Sequence, residues 1–229
     1  MVEYVEYDDK KKIKFKKNKI NSVILPLIII NVVSFMFQMM IPSFTDWFIL
    51  NSGDILSRPW TLITYMFLHG SFSHLFFNMY ALFLFGFLLE NKIGPKKFIG
   101  LYLISGILVG ILGSFYYNNF VGITALLGAS GAIMAIIGTT IILLPKLKLL
   151  FFFIIPMDLW MIGILFFLLD FFGMFYQSSV SHIGHLIGMM IGLAYGFYLY
   201  NQKKKFYKKF NQKKTISVKD GHEFEKHYK

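Results

Sequence analysis

Residues 122–144 read GITALLGASGAIMAIIGTTIILL. The run carries no charge, stops at Pro145, and holds a cluster of small residues, Gly128-Ala129-Ser130-Gly131, near its start. A bilayer core needs about 20 apolar residues to cross, so this stretch is a candidate membrane span. Outward from it, five more apolar runs occur at roughly 20–41, 73–89, 98–116, 149–172 and 179–200. Pro42, Pro95, Pro145 and Pro156 punctuate or kink their ends. The expected fold is an all-α membrane protein with six transmembrane helices over residues 20–200, flanked by basic tails at 1–19 and 201–229.

Composition points the same way. Of the 229 residues, 56% are hydrophobic and only 15% charged, with 27 Phe and a mean hydropathy of +0.59. A soluble domain carries about 25% charged residues, so a water-facing globule and a disordered chain are both excluded. Seven of the 23 Lys and Arg fall in residues 1–19 and ten in 201–229, so the net charge of +11 belongs mostly to the tails. Basic tails beside spans face the anionic cytoplasmic leaflet. Nucleic-acid binding is not expected, because no folded basic domain presents a reading surface. The absence of Cys removes disulfides, thiolate metal sites and a thiol nucleophile.

The loops alternate in charge. Lys92, Lys96 and Lys97 lie between the second and third runs, and Lys146 and Lys148 between the fourth and fifth, while the 116–121 and 173–178 loops are uncharged. With positive loops inside, every loop agrees with six spans and both termini cytoplasmic, as in a multi-pass protein of the cell membrane. The first outer loop is long and contains Trp47 and Arg58-Pro59-Trp60, which suits a functional or interfacial element. No long internal repeat supports an inverted-repeat transporter.

Ionisable residues inside a bilayer are costly and point to function. Four of the six His lie in or beside the runs: His69, His74, His182 and His185. Asn78 follows His74 by four residues, on the same helical face. Ser130 precedes Lys146 by 16 residues, His74 precedes Glu90 by 16, and His185 precedes Lys203 by 18. At the helical rise this sets all three roughly 24–27 Å above the inner boundary, in one layer below the outer surface. Gly184, Gly188, Gly192 and Gly196 form a stripe that permits close helix packing. In that layer Ser130 suits a nucleophile, His185 a general base, and His74, Asn78 and the Ser130 N–H oxyanion donors.

Each feature alone has a plainer reading. Gly-x-Ser-Gly is commonly a packing device, Asn78 an interhelical hydrogen-bonding residue, His69 a loop-ordering group, and His182 a wetted residue near the surface. Four imidazoles at one end of the bundle suggest a metal or a His-lined transporter. No carboxylate accompanies them at useful spacing and there is no His-Glu-x-x-His, so no metal is expected. Asp158 and Asp170 lie near the two ends of the fifth run; Asp170 suits an interfacial position or support of a neighbour, and neither receives a catalytic role.

Taken together, the motifs resemble the rhomboid family of intramembrane serine proteases. The residues that carry this are His74-Leu75-Phe76-Phe77-Asn78, Gly128-Ala129-Ser130-Gly131, and His185-Leu186-Ile187-Gly188 with Gly192, in that order, with Trp60 and His69-Gly70 upstream. The resemblance covers about residues 45–200. It implies a six-helix rhomboid-like bundle with a polar cavity open to the outer face and a Ser130–His185 dyad without an Asp. It also implies an oxyanion site resembling His74 and Asn78, transmembrane protein substrates, and no cofactor. The fifth span and the loop after it would resemble a substrate gate and cap. Two departures stand out. Many members carry Trp-Arg in the first loop, where Thr61 follows Trp60 here. Some place a Tyr four residues after the nucleophile to support the His ring, where this chain has Met134. The alternatives are an inactive rhomboid-like scaffold and a His-lined transporter.

Overall fold

The computed structural model describes residues 5–6, 14–15, 22–151, 154–176 and 180–227, with side chains within 22–150, 154–176 and 180–206. Most of the basic tail at 1–19 lies outside the described residues, which include there only the paired strands β1 (Val5–Glu6) and β2 (Lys14–Phe15). Then follow α1 (Ile24–Met40), α2 (Phe44–Phe48), β3 (Leu50–Asn51), α3 (Thr61–Thr64) and a 3-10 turn, Tyr65–Phe67. The bundle continues with α4 (Phe72–Ile93), α5 (Pro95–Phe120), β4 (Ala125–Leu126) and α6 (Ser130–Leu143). It ends with β5 (Lys148–Phe151), β6 (Ile155–Asp158), α7 (Leu159–Gly173) and α8 (His182–His227).

Local chemistry sets the helix boundaries. Ser71 caps α4, its Oγ accepting from the His74 N–H at 3.1 Å. Gly94, at φ +84°, ends α4 and hands over to Pro95 at the first position of α5. Helix α6 is apolar all round and is buried from Gly131 to Ile141, so it forms the centre, packed by α4, α5, α7 and α8. The peripheral helices turn apolar side chains outward, among them Ile29 and Met36 on α1, Phe83 and Phe87 on α4, and Ile164 on α7. Among the described residues, α4, α5 and residues 182–206 of α8 are long and apolar enough to cross a membrane.

All six apolar helices of the expected bundle are present; three are long enough to cross by length and composition, and α1, α6 and α7 are shorter, with 17, 14 and 15 residues. The run at 122–144 is broken because Gly122 and Gly128 hold φ at +116° and +119°, outside the helical region. Its first part instead pairs as β4 with β3. The run at 149–172 is divided by the antiparallel ribbon of β5 and β6, with Pro156 in β6. The fold is thus a helical bundle with three short two-stranded ribbons among the described residues. The C-terminal segment read as a tail continues α8 to His227.

The long loop between α1 and α4 is built into the bundle. The Ser52 N–H donates to the Thr124 carbonyl at 2.9 Å and the Gly128 N–H to the Tyr65 carbonyl at 2.9 Å, so this loop braces the segment leading to Ser130. Arg58 orders the loop itself, donating to Asp54 at 2.7 Å and to the Asp46 carbonyl at 2.8 Å.

Glu90, expected from its place in the sequence at the inner boundary, is instead buried at 4% exposure. Its carboxylate accepts from the Ser22 hydroxyl and, at 2.8 Å, from the Val23 N–H, capping the start of α1. Glu90→Gln is expected to destabilise the protein by about 1–3 kcal/mol, because a charge-assisted acceptor becomes a neutral amide. Thermal unfolding in detergent micelles checks this, and an unchanged midpoint contradicts it.

Candidate active site

Ser130 is the first residue of α6, where the unpaired N–H groups and the helix dipole favour negative charge. It is delivered there by Gly128. A Cβ at position 128 would come within 2.9 Å of Cε1 and Nε2 of His74 and 3.8 Å of the Asn78 amide nitrogen. The glycine therefore lets the chain leading into α6 lie directly against His74, with Asn78 close by. His74 Nδ1 faces the Gly70 N–H at 3.4 Å, an arrangement that leaves the ring proton on Nε2. Asn78 is buried, lines the cavity described below, and its Nδ2 has no hydrogen-bond partner.

His185 is brought alongside by the glycine stripe. A side chain at Gly188 would overlap the Gly131 carbonyl, and one at Gly192 would overlap the Ala135 carbonyl. Thr139 adds a hydrogen bond from α6 to the Gly192 carbonyl at 2.9 Å. The two backbones are thus in contact at Gly188 and again one turn later at Gly192. Ser130 and His185 line one cavity of about 500 Å³ bounded by α4, α6, α7 and α8. Against the expectation of a polar cavity, its walls are mainly aromatic and aliphatic, with Asn78, Ser130, Asp170 and His185 grouped among them. A second cavity of about 20 Å³ also touches Ser130 and His185, on the side of Ser181 and Gly128. No hydrogen bond joins Ser130 to His185. Such contacts are commonly loose before substrate binds.

The remaining histidines separate. His69 is buried, and neither ring nitrogen has a hydrogen-bond partner. Burial, with His74 5.0 Å away between ring centroids, pushes its pKa down to about 4. His69 does not line the cavity. His182 sits on Gly173, where a Cβ would come within 2.5–2.7 Å of its ring.

Asp170, which receives no catalytic role from the sequence, meets His182 and His185 on α8. Its Oδ1 lies 2.9 Å from Nδ1 of His185 and 2.8 Å from Nδ1 of His182, and the residue is only 7% exposed. No carboxylate stands at useful spacing from these histidines along the sequence, but one meets them in space. Asp170 is 12 and 15 residues away along the chain but in contact in space. These three side chains also offer ligand atoms within 4.8 Å of one another. The available signal was a charged residue in an apolar run, which belongs among functional candidates in a membrane helix.

A family profile described as "Rhomboid domain" matches residues 56–202. The chain is 32% identical to "Rhomboid protein 1, mitochondrial" of Saccharomyces cerevisiae over 161 residues, covering 68% of this chain and 46% of that protein. It is 31% identical to "RHOMBOID-like protein 6, mitochondrial" of Arabidopsis thaliana over 175 residues, covering 72% and 50%. It is 28% identical to "Rhomboid protease GlpG" of Haemophilus influenzae over 141 residues, covering 62% and 70%. The chain spans about half the length of the two mitochondrial relatives.

Proposed function

The chain belongs to the rhomboid family, and from that premise we propose that it is an intramembrane serine endopeptidase that cuts membrane proteins in or near their transmembrane helices. The observation that supports this most is the pair Ser130 and His185 on one cavity, with a buried, unpartnered Asn78 amide beside them.

In the proposed reaction, Ser130 Oγ attacks a peptide carbonyl while His185 Nε2 takes its proton. The proton then passes to the leaving amine and an acyl-enzyme forms. The Ser130 N–H, the Asn78 amide and His74 Nε2–H donate to the oxyanion. Water then attacks the ester while His185 takes its proton; the bond from the acyl carbon to Ser130 Oγ breaks, and His185 returns the proton to Oγ as the acid product leaves. The smaller cavity beside both residues exceeds the roughly 10–15 Å³ that one water needs. The apolar walls of the larger cavity suit an unwound stretch of an apolar substrate helix. In this reading the protein lies in the cell membrane with both tails on the cytoplasmic side.

The test uses the full chain in detergent or liposomes with a fluorophosphonate and a model single-span substrate. Labelling mapped to Ser130, together with substrate cleavage that the probe blocks, is the expected result. An unlabelled Ser130 in a folded protein overturns the assignment. Binding of the substrate without cleavage would favour a scaffold.

A further inference from the structure

We propose that Asp170 is a positioning residue for His185, holding its ring through Nδ1 and fixing which nitrogen carries the proton. The inference rests on the assignment of His185 as general base.

An ionised carboxylate only accepts hydrogen bonds, so a ring whose Nδ1 lies 2.9 Å from Asp170 Oδ1 carries its proton on Nδ1. Nε2, on the other side of the ring, is then the free acceptor that general-base chemistry at Ser130 needs. Nothing on α6 replaces this. Met134, one turn after Ser130 on the same cavity, offers only a thioether.

The contact is built from both helices. Asp170 and Gly173 are one turn apart on α7, and His182 and His185 are one turn apart on α8. Asp170 Oδ1 receives both rings, and Gly173 supplies the flat surface on which the His182 ring lies. His182 thus holds the carboxylate from the other side, and the ring of His185 is oriented only while α7 stays docked on α8.

Hydrogen-bonding geometry favours this over a bound cation. Each ring nitrogen is at ordinary hydrogen-bond distance from the same oxygen, so the three groups already satisfy one another.

The test compares Asp170→Asn with the parent chain, measuring kcat, KM, the rate of Ser130 labelling by a fluorophosphonate, and the thermal midpoint. The amide can donate to Nδ1 and so stabilise the wrong tautomer. The expected result is a fall of about a hundredfold or more in kcat and a matching fall in labelling rate, with KM little changed and the thermal midpoint lowered no further than in Glu90→Gln, which keeps its activity. Should the Asn chain fail to accumulate, Asp170→Glu and Asp170→Gln form an equal-length pair, of which Glu is expected to be at least about tenfold faster. Asn within threefold of the parent, Glu and Gln equal, or a loss confined to KM overturns the proposal. So does loss of the parent's activity in a chelator, which would assign Asp170, His182 and His185 to a metal. A parent unlabelled at Ser130 overturns the general-base assignment as well, whereas a labelled parent with an equally labelled Asn variant overturns only the role of Asp170.

Discussion

Ser130→Ala and His185→Ala are each expected to lower kcat for a single-span substrate by about 10⁴-fold or more, and the double variant is expected to be no slower than the worse single one. The non-additivity follows from the proposed chemistry. An alcohol without its base is a poor nucleophile, and a base without its alcohol has no bond to form, so removing either removes the same step. The fold should tolerate both changes. Ser130 is partly buried, and α6 is buried along Gly131–Ile141 whatever occupies position 130. His185→Ala leaves Asp170 its second partner, His182, at 2.8 Å. A shift of more than about 2 kcal/mol in stability would therefore be unexpected. The measurement is initial-rate cleavage in liposomes alongside thermal unfolding. Full activity in Ser130→Ala sinks the nucleophile assignment. Loss in His185→Ala with activity kept in Ser130→Ala points to histidine or metal chemistry instead.

Helical periodicity made part of the candidate site legible. Asn78 follows His74 by four residues on α4, and the structure sets Gly128 against His74 with Asn78 close by, and Ser130 on the same cavity as His185; the count from Glu90 marks no boundary, because that residue is buried. The glycine stripe was legible for the same reason, since a four-residue repeat stays on one helical face. Hydropathy did not reveal where an apolar run stops being helical. Gly122 and Gly128 are apolar by composition, yet their positive φ values break the run and make Ser130 the first residue of α6. Asp170 reads as a support for a neighbour, but which neighbour is not legible, because its contact with His185 depends on how α7 docks, and docking has no linear signature. Glu90 misled in the opposite direction: it reads as a charge facing water and is instead a buried cap for α1.

Gly188→Ala is expected to cost about a hundredfold in kcat while most of the protein still folds. The added methyl would overlap the Gly131 carbonyl, which is backbone and cannot rotate away. The helices must separate by about 1 Å to relieve it, and a displacement of that size between reacting groups costs about a hundredfold. Gly131 adjoins Ser130, and Gly188 is less than one turn from His185, so the separation falls directly on the proposed pair. Overpacking also destabilises by about 1–3 kcal/mol, which alone could lower activity. Gly196→Ala separates the two causes. Its methyl would meet the Ile142 side chain at 2.8 Å and Thr139 Cα at 3.2 Å, two turns further from the site. If helix spacing at Ser130 sets the rate, Gly188→Ala loses kcat and labelling rate far more than Gly196→Ala at comparable loss of thermal stability. If both lose activity in proportion to stability, the stripe is a packing device and its position next to Ser130 has no catalytic consequence.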